Sequence, residues 1–527
     1  MQQINDIKAG RTAIGIEFGS TRIKAVLTGS DNKPLAVGGH TWENRLENGI
    51  WTYSKKDIIS GLQAAYSSLC EEVERKFGIT LKTTGAIGVS AMMHGYIALD
   101  GNDVLLVPFR TWRNNTTSAA ADKLSKLFEF NIPERWSIAH LYQAMLDNEP
   151  HLAHLKRVFT LAGYVHYLLT DNCVLGIGDA SGMFPVDSKT LDYDKAMQDK
   201  FDKIIKSCGY DFKISEIFPE ILCAGKCAGN LTAKGARLLD PSGNLTSGIP
   251  LCPPEGDAGT GMTATNSVLK RMGNVSAGTS VFAMVVLEDK LKNVYPQIDM
   301  VTTPDGSPVA MVHANNCTSE INCWAALFQD VLKAFGQEAS PDKLYSVLYS
   351  SALNGEKDGG GLIPFGYISG ENITATKSGR PLLLRSEDAS LTLSNLMRSQ
   401  MYSALGALKI GLDILFEKEG VKVDKLNCHG GFFKTPIVGQ KIMSAAANVK
   451  TSVTKEAGEG GAWGMALLAS FMNSNYSSLA DFLNEQVFAD SKTIDLEPDE
   501  QDVLGFEKFM QSYKSALPLE QAAADYI

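Results

Sequence analysis

Two turns of small and hydroxyl residues, Gly19-Ser20-Thr21 and Gly278-Thr279-Ser280, have the composition that lets main-chain N–H groups converge on phosphate oxygens. One such turn is also what an ordinary hairpin looks like; two in matching settings point to phosphate. Glu17 lies just before the first turn, where a carboxylate can hold Mg2+ directly or through water. Asp257 sits in the run PPEGDAGTG after the apolar Ile249 and Leu251. Flanked by glycines, it is either a carboxylate oriented at a strand end for acid–base work or a turn-capping Asp. Met93-His94-Gly95 closes an apolar run, the place where ligands bind in an open α/β sheet, although a lone His is more often structural than catalytic. Trp112-Arg113-Asn114-Asn115 is a planar, polar cluster suited to sugar hydroxyls, or a loop anchor.

These residues need elements to hold them. AIGIEF, RIKAVLT and LAVGGHTW alternate with turns over residues 13–42, which predicts a three-stranded antiparallel meander. Leu62, Ala65, Tyr66, Leu69, Val73 and Phe77 recur at helical spacing, predicting a helix over about 57–77, and residues 86–90 read as a buried strand. The same grammar returns about 250 residues later. GNVSAGTS followed by VFAMVVLE gives strand, turn and strand, and SPVAMVHA a third strand; helices follow over about 319–335 and 391–418. Residues 425–429 read as a strand running into Gly430-Gly431, and Gly458-Glu459-Gly460-Gly461-Ala462-Trp463-Gly464 opens an Ala-rich closing helix. An internal duplication with a Gly-Ser/Thr turn in each half predicts an α/β protein of two lobes whose turns face one cleft.

Composition narrows the partners. The 527 residues exceed one ordinary domain, and the net charge is −10, with Lys and Arg scattered rather than striped, which argues against nucleic acid. Nine cysteines, odd in number and without a CxxC pair, read as buried thiols in a reducing compartment. No window reaches the ~18 apolar residues of a membrane span and no leader is visible, so a cytoplasmic protein without membrane contact is expected.

In order along the chain, these motifs resemble the FGGY carbohydrate kinases. GIEFGSTRIK resembles the first phosphate motif, GVSAMMHGYIALD the sugar-site segment of xylulokinases, PEGDAGTGM the catalytic-Asp motif and GNVSAGTSVFAMV the second phosphate motif. GLIPFGYISGE is similar to the family's Pro-Tyr-x-x-Gly-Glu segment, HGGFFKTPIVGQKIMSAAANVKTSV to its adenosine motif and EAGEGGAWGMALLA to its closing helix. The resemblance implies two ribonuclease-H-like (actin-like ATPase) domains with an interdomain cleft: an N-terminal sugar-binding domain over 1–260 and a C-terminal nucleotide-binding domain over 261–527.

It further implies ATP and Mg2+, and phosphorylation of a ketose with Asp257 as general base and Glu17 at the metal. Sugar contacts fall on Met93, His94, Gly95, Trp112, Asn114 and Asp257; nucleotide contacts on Gly19, Ser20, Thr21, Lys24, Gly278, Thr279, Ser280, Gly430, Gly431 and Lys434. Two positions depart from the family: Glu17 stands where Asp is usual, and Trp112-Arg113-Asn114-Asn115-Thr116 replaces Trp-x-Asp-x-Arg, closer to the Trp-Lys-Asp-x-Thr of ribulokinases. The Met-His-Gly segment leans toward D-xylulose and the Trp segment toward L-ribulose. Rival readings are an actin-like ATPase of mechanical or chaperone type and a nucleotide-binding regulator without catalysis. Beside sugar and ATP, a homodimer is a further candidate partner.

Overall fold

The computed structural model describes residues 2–454 and 460–526. Gly458 and Glu459, expected to open the closing helix, lie outside the described residues. The chain divides into two compact units: Met1–Val268, Met300–Val309 and Gly458–Asp490 in the first, and Leu269–Asp299, Ala310–Ala457 and Ser491–Ile527 in the second.

In the first unit β1 (Ala13–Phe18), β2 (Arg22–Thr28) and β3 (Pro34–Thr41) form the antiparallel meander. Helix α1 (Lys55–Phe77) follows. Its start is fixed by a capping box, Ser54 accepting the Asp57 N–H while Asp57 takes the Ser54 N–H, and its end by Gly78 at φ 64°. Next come β4 (Ala86–Ala91) and, much later, the two-residue β5 (Glu255–Gly256), giving the sheet order β5-β4-β1-β2-β3, with β4 parallel to both β1 and β5.

Register explains how the sheet is covered. Gly15 pairs with Val26 and Val26 with Val37, while Ile16, Ala25 and Gly38 pair one residue on and so face the other side. A β-carbon on Gly38 would strike the backbone of Ala65 and Leu69 of α1. One on Gly15 would strike Ala462 and Ala466 of the closing helix, Gly460–Met472. Glycine on each face thus lets a helix lie close against the strands, and the unit is a helix–sheet–helix sandwich.

The second half repeats the opening pattern. Strands β6 (Met272–Ala277) and β7 (Val281–Val286) are antiparallel, and β8 (Asp299–Thr302), which the sequence reading did not anticipate, precedes β9 (Pro308–Ala314). With β10 (Lys425–His429), β11 (Thr451–Thr454) and β12 (Thr493–Leu496) they make a seven-stranded sheet in the order β8-β9-β7-β6-β10-β11-β12. As β1 runs parallel to β4, so β6 runs parallel to β10. The expected helices form at Ser319–Ala334 and Leu393–Asp413, the latter widening into a π turn over Ile414–Lys418. The polar tail is the helix Glu500–Asp525.

The thiol expectation needs correction. Cys252, Cys317 and Cys428 are buried, but Cys208, Cys227 and Cys323 are exposed on polar helix and loop surfaces that apolar neighbours in sequence do not reveal; all nine are unpaired. Among the described residues no helix is long and apolar enough to cross a membrane.

Candidate active site

The C-terminal ends of β1, β4 and β5 gather the expected residues of the first unit. At the turn after β1, the Gly19 N–H donates to the Arg22 carbonyl at 3.0 Å. The three carbonyls of the turn are tied back: Gly19 by the Trp42 indole (2.7 Å), Ser20 by the Tyr53 hydroxyl (2.6 Å) and Thr21 by the Trp42 N–H (3.1 Å). Trp42 stacks on Tyr53 with ring centroids 3.9 Å apart, which stiffens the brace. What remains for an anion is N–H and hydroxyl.

Glu17 lies opposite Lys24 on β2 and Ser90 on β4. Its Oε2 accepts the Ala462 N–H at 3.2 Å, and a β-carbon on Gly461 would run into its Oε1, so the closing helix can reach the carboxylate only because residue 461 is glycine. Burial and the Asp257 charge push its carboxyl up to about 7, against Lys24 and the Ala462 N–H.

Asp257 is the first residue of helix α2 (Asp257–Ala264), with Gly256 as N-cap. The helix N-terminus favours its negative charge. Its Oδ1 accepts the Met93 N–H at 3.3 Å. The residue reaches solvent, yet enough protein surrounds it that burial pushes the carboxyl up to about 6, opposed by the N–H groups of Met93, Ala258 and its own residue. Ser90 and Thr260 lie within hydrogen-bond distance, 3.3 Å, between the two carboxylates' elements.

After β4 the chain turns sharply at two positive φ values, 70° at His94 and 90° at Gly95. A non-glycine residue held there costs of order 1 kcal/mol or more, a strain that collects at functional sites. His94 is buried, its Nδ1 3.1 Å from the Gly182 carbonyl and its ring stacked on Trp136. Trp112 lines a cavity of about 500 Å³ together with Ser20, Thr21, Trp42, Trp51 and Arg113, whose guanidinium lies 4.0 Å over the Trp51 ring.

Asn114 requires a correction. Its Oδ1 accepts the Trp51 N–H, and its Nδ2 donates to the Trp51 and Thr111 carbonyls, each at 2.9 Å. Both amide hydrogens are spent on main chain, so this buried residue holds the loop beneath Trp112 instead of offering donors to a sugar. The sequence pattern showed a polar side chain but not its commitment.

In the second unit the turn Gly278-Thr279-Ser280 is tied back in the same sense. Thr318 donates its N–H (3.0 Å) and hydroxyl (2.8 Å) to the Gly278 carbonyl, and the Cys317 N–H donates to that of Thr279 (3.0 Å). Gly430, at φ 103°, abuts Ala277: a β-carbon there would strike the Ala277 carbonyl. The unit therefore brings Gly430 beside the turn, while Gly431 and Lys434 are exposed, and a β-carbon on Gly431 meets open space. Glu371, in the GLIPFGYISGE segment, is buried and accepts the N–H groups of Asn315 (2.9 Å) and Asn316 (3.3 Å).

Sequence reasoning passed over Asp179 and Glu255. Both are 1% exposed and lie behind Asp257; burial and the neighbouring acids push them up to about 7 and about 8 respectively. Nothing in Gly178-Asp179-Ala180 marks it, though Glu255 stood inside the Asp257 motif. Among the described residues no group of three or more His, Cys, Asp or Glu side chains could hold a metal ion by itself. The oxygen donors at Glu17 fit Mg2+, which commonly takes one or two carboxylates and completes its shell with water and phosphate.

Residues 12–258 match the N-terminal domain of the FGGY family of carbohydrate kinases and residues 273–472 its C-terminal domain. A xylulose kinase of Haemophilus influenzae is 23% identical over 475 residues, 87% of this chain and 90% of that protein. One from Lactococcus lactis is 21% identical over 513 residues, 95% of each chain. Among solved structures, a xylulose kinase from Rhodospirillum rubrum superposes with a TM-score of 0.78 at 16% identity, covering 98% of this chain and 100% of that one. A gluconate kinase from Lactobacillus acidophilus gives 0.79 at 17% identity, covering 98% and 99%. These likenesses show the fold, a pair of actin-like ATPase (ribonuclease-H-like) domains.

Proposed function

The chain belongs to the FGGY family of carbohydrate kinases, and from that premise we propose that it transfers the γ-phosphoryl group of ATP to a hydroxyl of a ketose, foremost the ketopentose D-xylulose, with L-ribulose second. In this reading residues 1–260 bind the sugar and residues 261–527 the nucleotide. The observation that carries it is the meeting, at one sheet edge, of a carboxylate on a helix N-terminus, a second carboxylate at a phosphate-type turn and a strained Met-His-Gly bend.

Phosphoryl transfer asks a protein chiefly to position its reactants and to neutralise charge. Asp257 accepts the proton of the attacking hydroxyl; with its carboxyl at about 6 it is ionised at neutral pH yet basic enough to take a proton. Base assistance of this kind contributes ~10²–10⁴-fold in rate. Met93 N–H orients the carboxylate, and His94, Gly95 and Trp112 form the sugar's surroundings, with Asn114 holding the Trp112 loop. Ser20, Thr21 and Lys24, and in the second unit Gly278, Thr279 and Ser280, offer N–H, hydroxyl and ammonium groups to the phosphates; Gly430, Gly431 and Lys434 meet the nucleoside. Glu17 would hold Mg2+, which supplies charge neutralisation for the phosphates when bound.

The test is ADP release with MgATP across a panel of D-xylulose, L-ribulose, D-ribulose, a tetrulose and D-fructose. Strong stimulation by one ketopentose is expected. Stimulation only by an aldonate or polyol would move the substrate class. ATP consumption indifferent to every sugar would favour an actin-like ATPase of another kind.

A further inference from the structure

Asp257 is backed by two buried acids within the first unit. Glu255 Oε1 accepts the Gly178 N–H (3.2 Å), and its Oε2 accepts the N–H groups of Asp179 (3.0 Å) and Gly256 (3.3 Å). The fit is close: a β-carbon on Gly176 or Gly178 would collide with the Glu255 carboxylate. Asp179 takes the Thr160 hydroxyl on Oδ2 at 2.7 Å, while its Oδ1 is buried without a partner. That oxygen lies 3.3 Å from where a β-carbon on Gly256 would stand. The short helix Ile177–Ala180 is held from its far side as well. Ser181 donates to the Gly178 carbonyl (2.6 Å) and accepts the Thr302 N–H (3.0 Å), and the Thr302 hydroxyl donates to the Ile177 carbonyl (3.1 Å).

Burying two carboxyl groups is costly, and an apolar pair of similar volume would satisfy packing at lower cost. What an apolar residue could not do is collect three main-chain N–H groups from two separate segments at one point. We propose that Glu255 is a positioning residue for phosphoryl transfer: it ties the 177–180 turn to the β5–α2 corner and so fixes the backbone from which Asp257 projects, with Asp179 seated against Gly256 as the second half of the brace. The inference rests on Asp257 being the base. A displacement of about 1 Å at such a corner can cost ~10²-fold in rate. The titratable groups within electrostatic reach of Glu255 are Asp179 on the turn, Cys252 on its own segment and Cys223.

The experiment compares Glu255→Gln, Asp179→Asn and Asp257→Asn in the full-length enzyme, measuring kcat, KM for ketose and for MgATP, and the pH profile of kcat/KM. Gln keeps the size and one acceptor oxygen. The expected result for Glu255→Gln is a kcat lowered ~10–10²-fold with KM for MgATP within about twofold, and an acid limb of kcat/KM displaced from that of the wild type. Asp179→Asn should show the same pattern at ~3–10-fold, and it decides the matter if Glu255→Gln does not fold. Folded variants with wild-type kcat and an unmoved acid limb, beside an inactive Asp257→Asn, would overturn the positioning role alone. Near-normal turnover of Asp257→Asn would overturn the base assignment, and this inference with it.

Discussion

The turn Gly19-Ser20-Thr21 has its carbonyls tied back by Trp42 and Tyr53, and Gly278-Thr279-Ser280 has its own tied back by Thr318 and Cys317. The two duplicated ends share this device and differ in charge. Two residues before the first turn stands Glu17, in register with Ser90; two before the second stands Ser276, in register with His429. Beyond β4 the chain runs to Met93-His94-Gly95, beyond β10 to Gly430-Gly431. The first end also collects Asp179, Glu255 and Asp257. In the second, burial holds His429 below the usual imidazole range. An end that carries carboxylates can move a proton and hold a cation that would bring phosphates to its turn; an end of glycine and hydroxyl can approach phosphates through its main chain alone. On the proposed function, side-chain differences at the two ends of one repeated strand pattern separate proton transfer from main-chain phosphate binding.

The largest effect should come from the charged end. Asp257→Asn keeps the shape and cannot take a proton, so kcat should fall ~10²-fold or more with KM for MgATP largely unchanged. Steady-state kinetics in both substrates check it, and near-normal turnover would dissolve the contrast between the ends.

Glu17→Gln should act through the metal. The Mg2+ concentration for half-maximal rate should rise several-fold to about tenfold, with kcat at saturating Mg2+ closer to wild type. A Mg2+ titration at fixed ATP reads this directly. If the Mg2+ requirement stays put while kcat collapses, Glu17 belongs to the same step as Asp257.

In the second unit Gly431→Val is a probe of the nucleotide's surroundings, because a β-carbon there meets open space. KM for MgATP should rise about three- to tenfold with KM for the ketose unchanged, as expected when uniform binding is lost. Unchanged MgATP affinity would remove Gly431 from the nucleotide's surroundings.

Much of this was legible in local signals. Alternating apolar residues and small-residue turns marked β1–β4, β6 and β7, and flanking glycines marked Asp257, because strand periodicity and turn chemistry act over a few residues. What escaped depends on contacts distant in sequence. Residues 300–309 and the closing helix group with the first unit, Gly461 meets Glu17 across more than four hundred positions, and Asp179 is brought behind Asp257 by a turn with no pattern of its own. Asn114 was read as a sugar ligand because polarity is visible in sequence and hydrogen-bond commitment is not.

The smallest effect distinguishes the two units by their response to pH. In the first, Asp257 is raised to about 6, Glu17 and Asp179 to about 7 and Glu255 to about 8, all above ordinary carboxylates. Between an unfolded carboxylate's pKa of about 4 and these values, the folded unit binds more protons than the unfolded chain; their contribution is complete at low pH and is lost as pH rises through about 6 to 8. The second unit contains the opposite case. Asp502, against burial, is held below its ordinary value by Lys357, Lys441 and Arg398, and Lys508 lowers Asp358, so their contribution is present at neutral pH and lost as pH falls below the usual carboxylate range. Ligand-free protein should therefore show two melting components at constant ionic strength, one weakening by a few degrees from pH 6 to 8 and the other weakening below about pH 4. Glu255→Gln cannot ionise, so it should flatten the alkaline slope of the first component and leave the second untouched. Equal alkaline slopes in variant and wild type would mean that Glu255 is already ionised in the folded protein across this range, its burial compensated by the three N–H groups that hold it.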